Sequence, residues 1–101
     1  MPEENKITEA QRRKRTPLGT FLIEYFPEAQ KEKARLSFAA NEQHNPGEHM
    51  HWAREKSQDH VDCLLRHLFD HAKNPVDTDG QLHLAKVAWR ADAMLQLYLE
   101  Q

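Results

Sequence analysis

The sequence SQDHVDCLLRHLFDHAKNP, residues 57–75, decides the fold. Its apolar residues recur every three or four positions, which is the spacing of one face of an α-helix; they are Val61, Leu64, Leu65, Leu68 and Ala72. Ser57 is a suitable N-cap, because its hydroxyl can accept a hydrogen bond from a free backbone N–H of the first turn. Asn74-Pro75 ends the pattern. The segment therefore predicts an amphipathic helix whose apolar stripe packs in the core.

Two further helices are predicted, one on each side of this segment. Pro27 suits the first turn of a helix, and residues 28–43 contain strong helix formers without internal Gly or Pro. The turn signal Asn45-Pro46-Gly47 ends that helix. The last helix runs from about Gln81 to Glu100. Since no alternating run typical of strands is present, the sequence predicts an all-α fold, a small bundle of three main helices.

The chain length of 101 residues predicts one domain with a small core. Residues 1–16 are interpreted as a flexible basic N-terminal arm and residues 17–101 as a single all-α domain. Within the arm, the basic cluster QRRKR, residues 11–15, is either a contact for nucleic acid or a solvated tail. The net charge of −2 argues against nucleic acid as the main partner. The apolar stretch LGTFLIEYF, residues 18–26, is either a short helix or an extended segment.

The last predicted helix has an apolar face too wide for a chain of this size to cover. We therefore expect a homo-oligomer, a dimer or a tetramer, with Tyr98, Met94 and Leu95 near the interface. No apolar run approaches the roughly 20 residues that cross a bilayer, so no membrane partner is expected. The lone Cys63 cannot form an internal disulfide, and the N-terminus lacks the apolar stretch of a secretory signal. A cytoplasmic location fits best.

Two carboxylates of the middle helix are candidate metal ligands. Asp59 and Asp62 form a D-x-x-D pair on one helix flank, and such oxygen ligands suit Mg²⁺. The alternative is structural: Asp59 complements the helix dipole, and Asp62 forms an ion pair with Arg66 four residues later. His67 is a metal ligand, a phosphate contact or a packed histidine.

A narrow row of basic residues lies along one side of the last predicted helix. His83, Lys86 and Arg90 recur at i, i+3 and i+7, with Asp79 one turn earlier. Such a row can bind a polyphosphate, because guanidinium groups bind phosphate oxygens in bidentate fashion and an ammonium adds a point charge. The alternative is a solvated helix face.

The remaining candidates are aromatic residues and loop histidines. Trp52 and Trp89 either stack on a nucleotide base or fill the core. The three histidines within residues 44–51 match no standard zinc spacing. No Gly-rich phosphate loop, nucleophile elbow or Cys–His pair is recognisable in the sequence.

The run RHLFDHAKNPVDTDGQLHLAKVAWRADAMLQ, residues 66–96, resembles a family of small, mostly phage-encoded proteins described as dATP/dGTP diphosphohydrolase-like. These proteins are similar to the all-α nucleoside triphosphate pyrophosphohydrolases of the MazG type. The resemblance rests on Arg66-His67-Leu68, Asp77, Gly80, His83-Leu84-Ala85 and Ala88-Trp89. A looser pattern upstream includes Phe38-Ala39-Ala40, Asn45 and Trp52.

The resemblance implies an oligomeric all-α enzyme that hydrolyses a (deoxy)nucleoside triphosphate to the monophosphate and pyrophosphate. In the MazG relatives, carboxylates of two antiparallel helices hold Mg²⁺, which neutralises the phosphates and activates a water. Applied to this chain, Asp59, Asp62 and Glu42 would hold Mg²⁺, with Mn²⁺ or another divalent ion as alternatives, and would be the catalytic residues. The first helix lacks the E-x-x-E pair of the MazG pattern.

These observations lead to two hypotheses. In the first, the chain is a nucleotide pyrophosphohydrolase that holds its substrate through a set of polar and aromatic side chains: Arg66, His67, His83, Lys86, Arg90 and Trp52. In the second, the chain is a non-catalytic helical oligomer that binds a nucleotide, a host protein or nucleic acid.

Overall fold

The computed structural model of this protein describes residues 6–101. Its elements in chain order are α1 (Glu9–Lys14), a π-helix (Thr20–Tyr25), α2 (Pro27–His44), α3 (His60–Lys73) and α4 (His83–Leu99). Within residues 6–101, the only β-type pairing is an isolated antiparallel bridge between Val76 and Leu82. The predicted all-α class is confirmed, and the three main predicted helices correspond to α2, α3 and α4.

The contacts divide the chain into two units, one ending at Gln30 and the other comprising Lys31–Gln101. In the first unit, a capping box starts α1: the Thr8 hydroxyl accepts from the Gln11 backbone N–H at 3.1 Å, and the Thr8 N–H donates to Gln11 Oε1 at 2.9 Å. This helix lies within the predicted flexible arm, of which Met1–Asn5 fall outside the described residues. The apolar stretch after α1 forms the π-helix, with Phe21 and Phe26 in edge-to-face contact at 5.2 Å.

The helix boundaries follow from local chemistry. Pro27 is the first residue of α2, where its missing N–H costs nothing, and α2 ends before the turn at Gly47, whose φ is +79°. The prediction that Ser57 caps the middle helix is wrong. Helix α3 begins at His60 with Asp59 in the N-cap position, because residues 57–59 are not helical.

In the second unit, α3 and α4 pack as an antiparallel pair. His67 contacts His83, and His60, seven residues earlier on α3, contacts Arg90, seven residues later on α4. Helix α2 is joined to α4 by the Trp89 indole N–H, which donates to Ser37 Oγ at 2.9 Å, and by the ion pair of Lys33 with Asp92.

The orientation of α3 differs from the sequence prediction. The side chains that α3 buries are His60, Cys63 and His67. The apolar stripe expected in the core is largely exposed within one chain: Val61, Leu65 and Leu68 are 57%, 46% and 45% exposed. Phe38 of α2 is also exposed. The placement of this stripe in a core within the chain is therefore wrong.

None of the helices in residues 6–101 combines the length and the apolar character needed to cross a membrane.

Candidate metal site

The loop between α3 and α4 is closed by its own hydrogen bonds. The Asp77 N–H donates to the Gln81 carbonyl at 2.8 Å, and the Gly80 N–H donates to the Asp77 carbonyl at 2.9 Å. Gly80 supplies the left-handed conformation of this turn, with φ at +82°. Asp79 Oδ1 accepts from the Gln81 N–H at 3.0 Å. This compact turn fixes the Asp77 side chain beside the adjoining ends of the two helices.

Three potential metal ligands converge at this end of the helical pair. His67 Nδ1 and His83 Nδ1 lie 3.0 Å apart, and each lies 3.8 Å from Asp77 Oδ2. Both histidines are buried, at 9% and 5% exposure, and the Asp77 side chain is 20% exposed. The three ligand atoms can therefore share one ion.

These distances fit a small divalent ion. Bonds of about 2.0–2.2 Å to nitrogen and oxygen in a tetrahedral site place neighbouring ligand atoms about 3.3–3.6 Å apart. The observed separations of 3.0 and 3.8 Å lie on either side of that value. Without an ion, one imidazole donates a hydrogen bond to the other across the 3.0 Å contact; with an ion, both nitrogens present lone pairs.

The electrostatic setting favours the ligand forms of two of these groups. The Lys86 ammonium, which donates to Asp77 Oδ2 at 2.7 Å, together with the Thr78 backbone N–H, lowers the pKa of Asp77 to about 2. Burial, together with the nearby cations of Lys86 and Arg66, lowers the pKa of His67. A carboxylate and a neutral imidazole are the forms that bind metals, so both groups are ready as ligands at neutral pH.

Lys86 lies next to this group and is held by two carboxylates. Its Nζ donates to Asp77 Oδ2 and to Asp79 Oδ2, each at 2.7 Å. Although burial lowers the pKa of Lys86, the two carboxylates outweigh that effect and raise it. An ion bound to Asp77 Oδ2 would share that oxygen with the ammonium, and Asp79 provides the position to which Lys86 can move.

The predicted acidic ligands lie elsewhere. Asp59 accepts a hydrogen bond from Cys63 Sγ at 3.3 Å, which lowers its pKa, and Asp62 and Glu42 are exposed. Among the described side chains of one chain, these three carboxylates do not form a group with ligand atoms within 4.8 Å of one another. Asp62 forms no ion pair with Arg66, whose guanidinium donates to Cys63 Sγ at 3.6 Å. Their role as ligands stays a prediction.

The predicted phosphate-binding row is engaged in contacts within the chain. His83 contacts His67, Lys86 contacts the two loop aspartates, and Arg90 Nη1 lies 3.0 Å from His60 Nδ1. The row therefore lies against α3 and the loop. Binding of a polyphosphate by these side chains stays a prediction and requires an exchange of partners.

The two tryptophans contact each other edge to face, with ring centroids 5.8 Å apart. The Arg54 guanidinium lies 4.3 Å over the Trp52 ring, and its Nη1 donates to both carboxylate oxygens of Glu100, at 2.8 and 2.7 Å. Trp52 is half-buried, and one of its faces is covered by Arg54. This favours the packing alternative for Trp52, since a stacked base would compete with Arg54.

Sequence reasoning singled out His67 and His83, both as substrate contacts, whereas it named Asp77 only as part of the family pattern. The order of the helices contained a signal that could have indicated their proximity. A helix ending at residue 73 and another beginning at residue 83 place His67 and His83 near the same end of the pair, and the intervening loop carries its aspartates there.

Comparison of the chain with protein-family models, with curated proteins and with solved structures finds no match. The candidate metal site therefore rests on the geometry of the chain itself.

Proposed function

We propose that the chain is a metal-dependent hydrolase of (deoxy)nucleoside triphosphates that releases the monophosphate and pyrophosphate. The observation that carries the proposal is the convergence of His67, Asp77 and His83 on one small volume, with ligand atoms 3.0–3.8 Å apart. Three protein ligands are typical of catalytic metal sites, where a further position serves water or substrate. The nucleotide class comes from the sequence resemblance.

The ligand set bears on the choice of ion. Mg²⁺ prefers oxygen ligands, whereas two imidazoles with one carboxylate suit Mn²⁺, Co²⁺ or Zn²⁺. We therefore infer that the ion held by the chain is of the second kind, and that Mg²⁺ enters with the nucleotide. A divalent ion held by His67, Asp77 and His83 would supply positive charge to the phosphate oxygens and would favour water as the nucleophile.

The side chains around the site have separate roles in this proposal. Asp77 would supply the negative charge that holds the ion, and the two buried histidines would be its nitrogen ligands. Lys86, moved onto Asp79, can donate to a phosphate oxygen. Arg66, which is exposed one residue before His67, can add a bidentate phosphate contact.

Metal binding is tested first, by thermal unfolding of the metal-free protein with added Mn²⁺, Co²⁺, Zn²⁺ or Mg²⁺. At 100 times the dissociation constant, a bound ion stabilises the fold by about 2.7 kcal/mol. His67→Ala, His83→Ala and Asp77→Asn should each abolish the shift. The matched control His71→Ala changes a histidine one turn further along α3 and should keep it.

Activity is tested by incubating the metal-loaded protein with each dNTP and measuring monophosphate and pyrophosphate. Turnover that disappears in the three ligand variants and persists in His71→Ala supports the proposal. Metal-induced stabilisation without turnover of any nucleotide would contradict it.

A non-catalytic module is the second candidate, and one observation favours it. Lys86 already neutralises Asp77 at 2.7 Å, so the cluster is stable as an ion pair within the fold. In that case the nucleotide stabilises the chain equally with and without EDTA and is not cleaved. Binding of nucleic acid through residues 11–15 would instead depend strongly on salt concentration.

A further inference from the structure

The apolar stretch after α1 is exposed. The π-helix buries none of its residues, and Ile23 and Tyr25 are 71% and 65% exposed. All large apolar side chains of residues 18–26 are exposed; these are Leu18, Phe21, Leu22, Ile23, Tyr25 and Phe26. Apolar side chains that are exposed singly are normal, whereas a contiguous group of them indicates an interaction surface.

The apolar side chains of the π-helix lie on one side of it. In a helix whose hydrogen bonds join residues five apart, successive side chains are separated by about 80° around the axis. Thr20 and Glu24 therefore share one side, and the opposite side carries the apolar residues Phe21, Leu22, Ile23 and Tyr25. The rings of Phe21, Tyr25 and Phe26 contact one another, with centroids 5.2–6.3 Å apart. We call these five apolar residues, Phe21, Leu22, Ile23, Tyr25 and Phe26, the aromatic patch.

A basic cluster lies directly before this segment. Arg12, Arg13 and Lys14 belong to the last turn of α1, and Arg15 is its C-cap residue. The side chains of Arg13, Lys14 and Arg15 are exposed. Since Arg15 precedes Phe21 by six residues, the basic cluster and the aromatic patch lie at most about 20 Å apart along the chain.

Positive charge is concentrated in this part of the chain. Residues 6–26 contain five basic and two acidic residues, a net charge of +3. Residues 27–101 contain nine basic and twelve acidic residues, a net charge of −3. Residues 6–26 therefore attract anionic surfaces that the remainder of the chain repels.

We propose that residues 9–26 bind the surface of a membrane that contains anionic phospholipids. The aromatic patch lies among the upper acyl chains, and the basic cluster lies on the phosphates of the headgroups. Phe and Tyr suit this boundary, because it is apolar on one side and wet on the other. The segment lies in the surface and does not cross the bilayer, so it does not need the length of a spanning helix. The expectation of no membrane partner rested on that length.

Charge complementarity favours phospholipid over other occupants of this surface. An anionic membrane presents phosphates directly above an apolar phase, which matches a basic cluster beside an aromatic patch. Nucleic acid presents phosphates but would leave Ile23 and Phe26 in water. A second copy of the segment would bring its own basic cluster, whose charge repels the first.

The experiment is co-sedimentation of the full chain with vesicles of phosphatidylcholine alone and of phosphatidylcholine mixed with phosphatidylglycerol. We expect binding to the mixed vesicles, weaker binding to phosphatidylcholine alone, and a decrease with added salt. Arg13→Ser combined with Lys14→Ser should weaken binding about 30-fold, because each basic side chain contributes about fivefold near an anionic surface. Ile23→Ser should weaken binding about tenfold, because it removes an apolar side chain from the lipid.

Each variant has a matched control elsewhere in the chain. Arg35→Ser combined with Lys73→Ser removes the same charge from two exposed positions. Leu99→Ser removes an apolar side chain that is 67% exposed, close to the 71% of Ile23. Both controls should keep the wild-type affinity for the mixed vesicles. Circular dichroism checks that every variant retains its helices, as expected for substitutions of exposed side chains.

Failure of the chain to bind the mixed vesicles at low salt would overturn the proposal. So would binding that is unchanged in Ile23→Ser or in the double variant of Arg13 and Lys14. Binding of a DNA duplex in place of vesicles would refute it and assign the basic cluster to nucleic acid. A lower mass of Ile23→Ser in light scattering, without vesicle binding by the wild type, would refute it and assign the aromatic patch to self-association. Lipid binding is measured without metal or nucleotide, so its outcome is separate from that of the proposed hydrolysis.

Discussion

Asp77→Asn should lower the free energy of unfolding of the metal-free protein by about 1–2 kcal/mol at neutral pH. The fold lowers the pKa of Asp77 from 3.8 to about 2, mainly through Lys86 and the Thr78 N–H. At about 1.4 kcal/mol per pKa unit, the charge of Asp77 stabilises the fold by at most about 2.5 kcal/mol. The Asp77 side chain is 20% exposed, and the resulting screening by solvent reduces that value. Asparagine keeps the shape and the acceptor for Thr78 but loses the charge.

The assay is urea unfolding followed by circular dichroism, in EDTA and at one protein concentration. Because the folded pKa lies below the unfolded one, the stabilisation by Asp77 is present above about pH 4 and is lost as the pH falls towards about 2. The free energies of unfolding of wild type and Asp77→Asn should therefore become equal in acid. Asp79→Asn is the control: its side chain is 48% exposed, so a smaller loss is expected. Equal stability of wild type and Asp77→Asn at neutral pH, or a difference that persists at about pH 2, would refute the reasoning.

Two further predictions concern a turn and a helix contact. Gly80→Ala should destabilise the fold by about 1–2 kcal/mol, because a residue with a Cβ is strained at a φ of +82° although the surrounding space is open. Gly19→Ala is the control: the space is equally open, but φ is −62°, so no destabilisation is expected. Thermal unfolding of the two variants makes the comparison. Trp89→Phe and Ser37→Ala should each cost about 1 kcal/mol, since either removes the 2.9 Å hydrogen bond between α4 and α2. In urea unfolding the double variant should lose less than the sum of the two, and full additivity would show that this contact contributes nothing.

Local sequence signals determined the helices of this protein. Pro27 starts α2, the turn Asn45-Pro46-Gly47 comes directly after its end, and Asn74-Pro75 ends α3. These signals act through backbone geometry and missing donors, which depend on a few neighbouring residues. The capping prediction at Ser57 failed, because the chain continues without helix to Asp59 and a good capping residue does not by itself fix where a helix begins.

The tertiary structure decided which helix face is buried and which side chains meet. Periodicity locates the stripe of Val61, Leu65 and Leu68, but it does not say what covers that stripe. In one chain it is α3's polar flank, with His60 and His67, that packs on α4. The proximity of Asp77 to the two histidines could not be predicted from the sequence either. It depends on the antiparallel register of two helices and on a turn closed by its own hydrogen bonds.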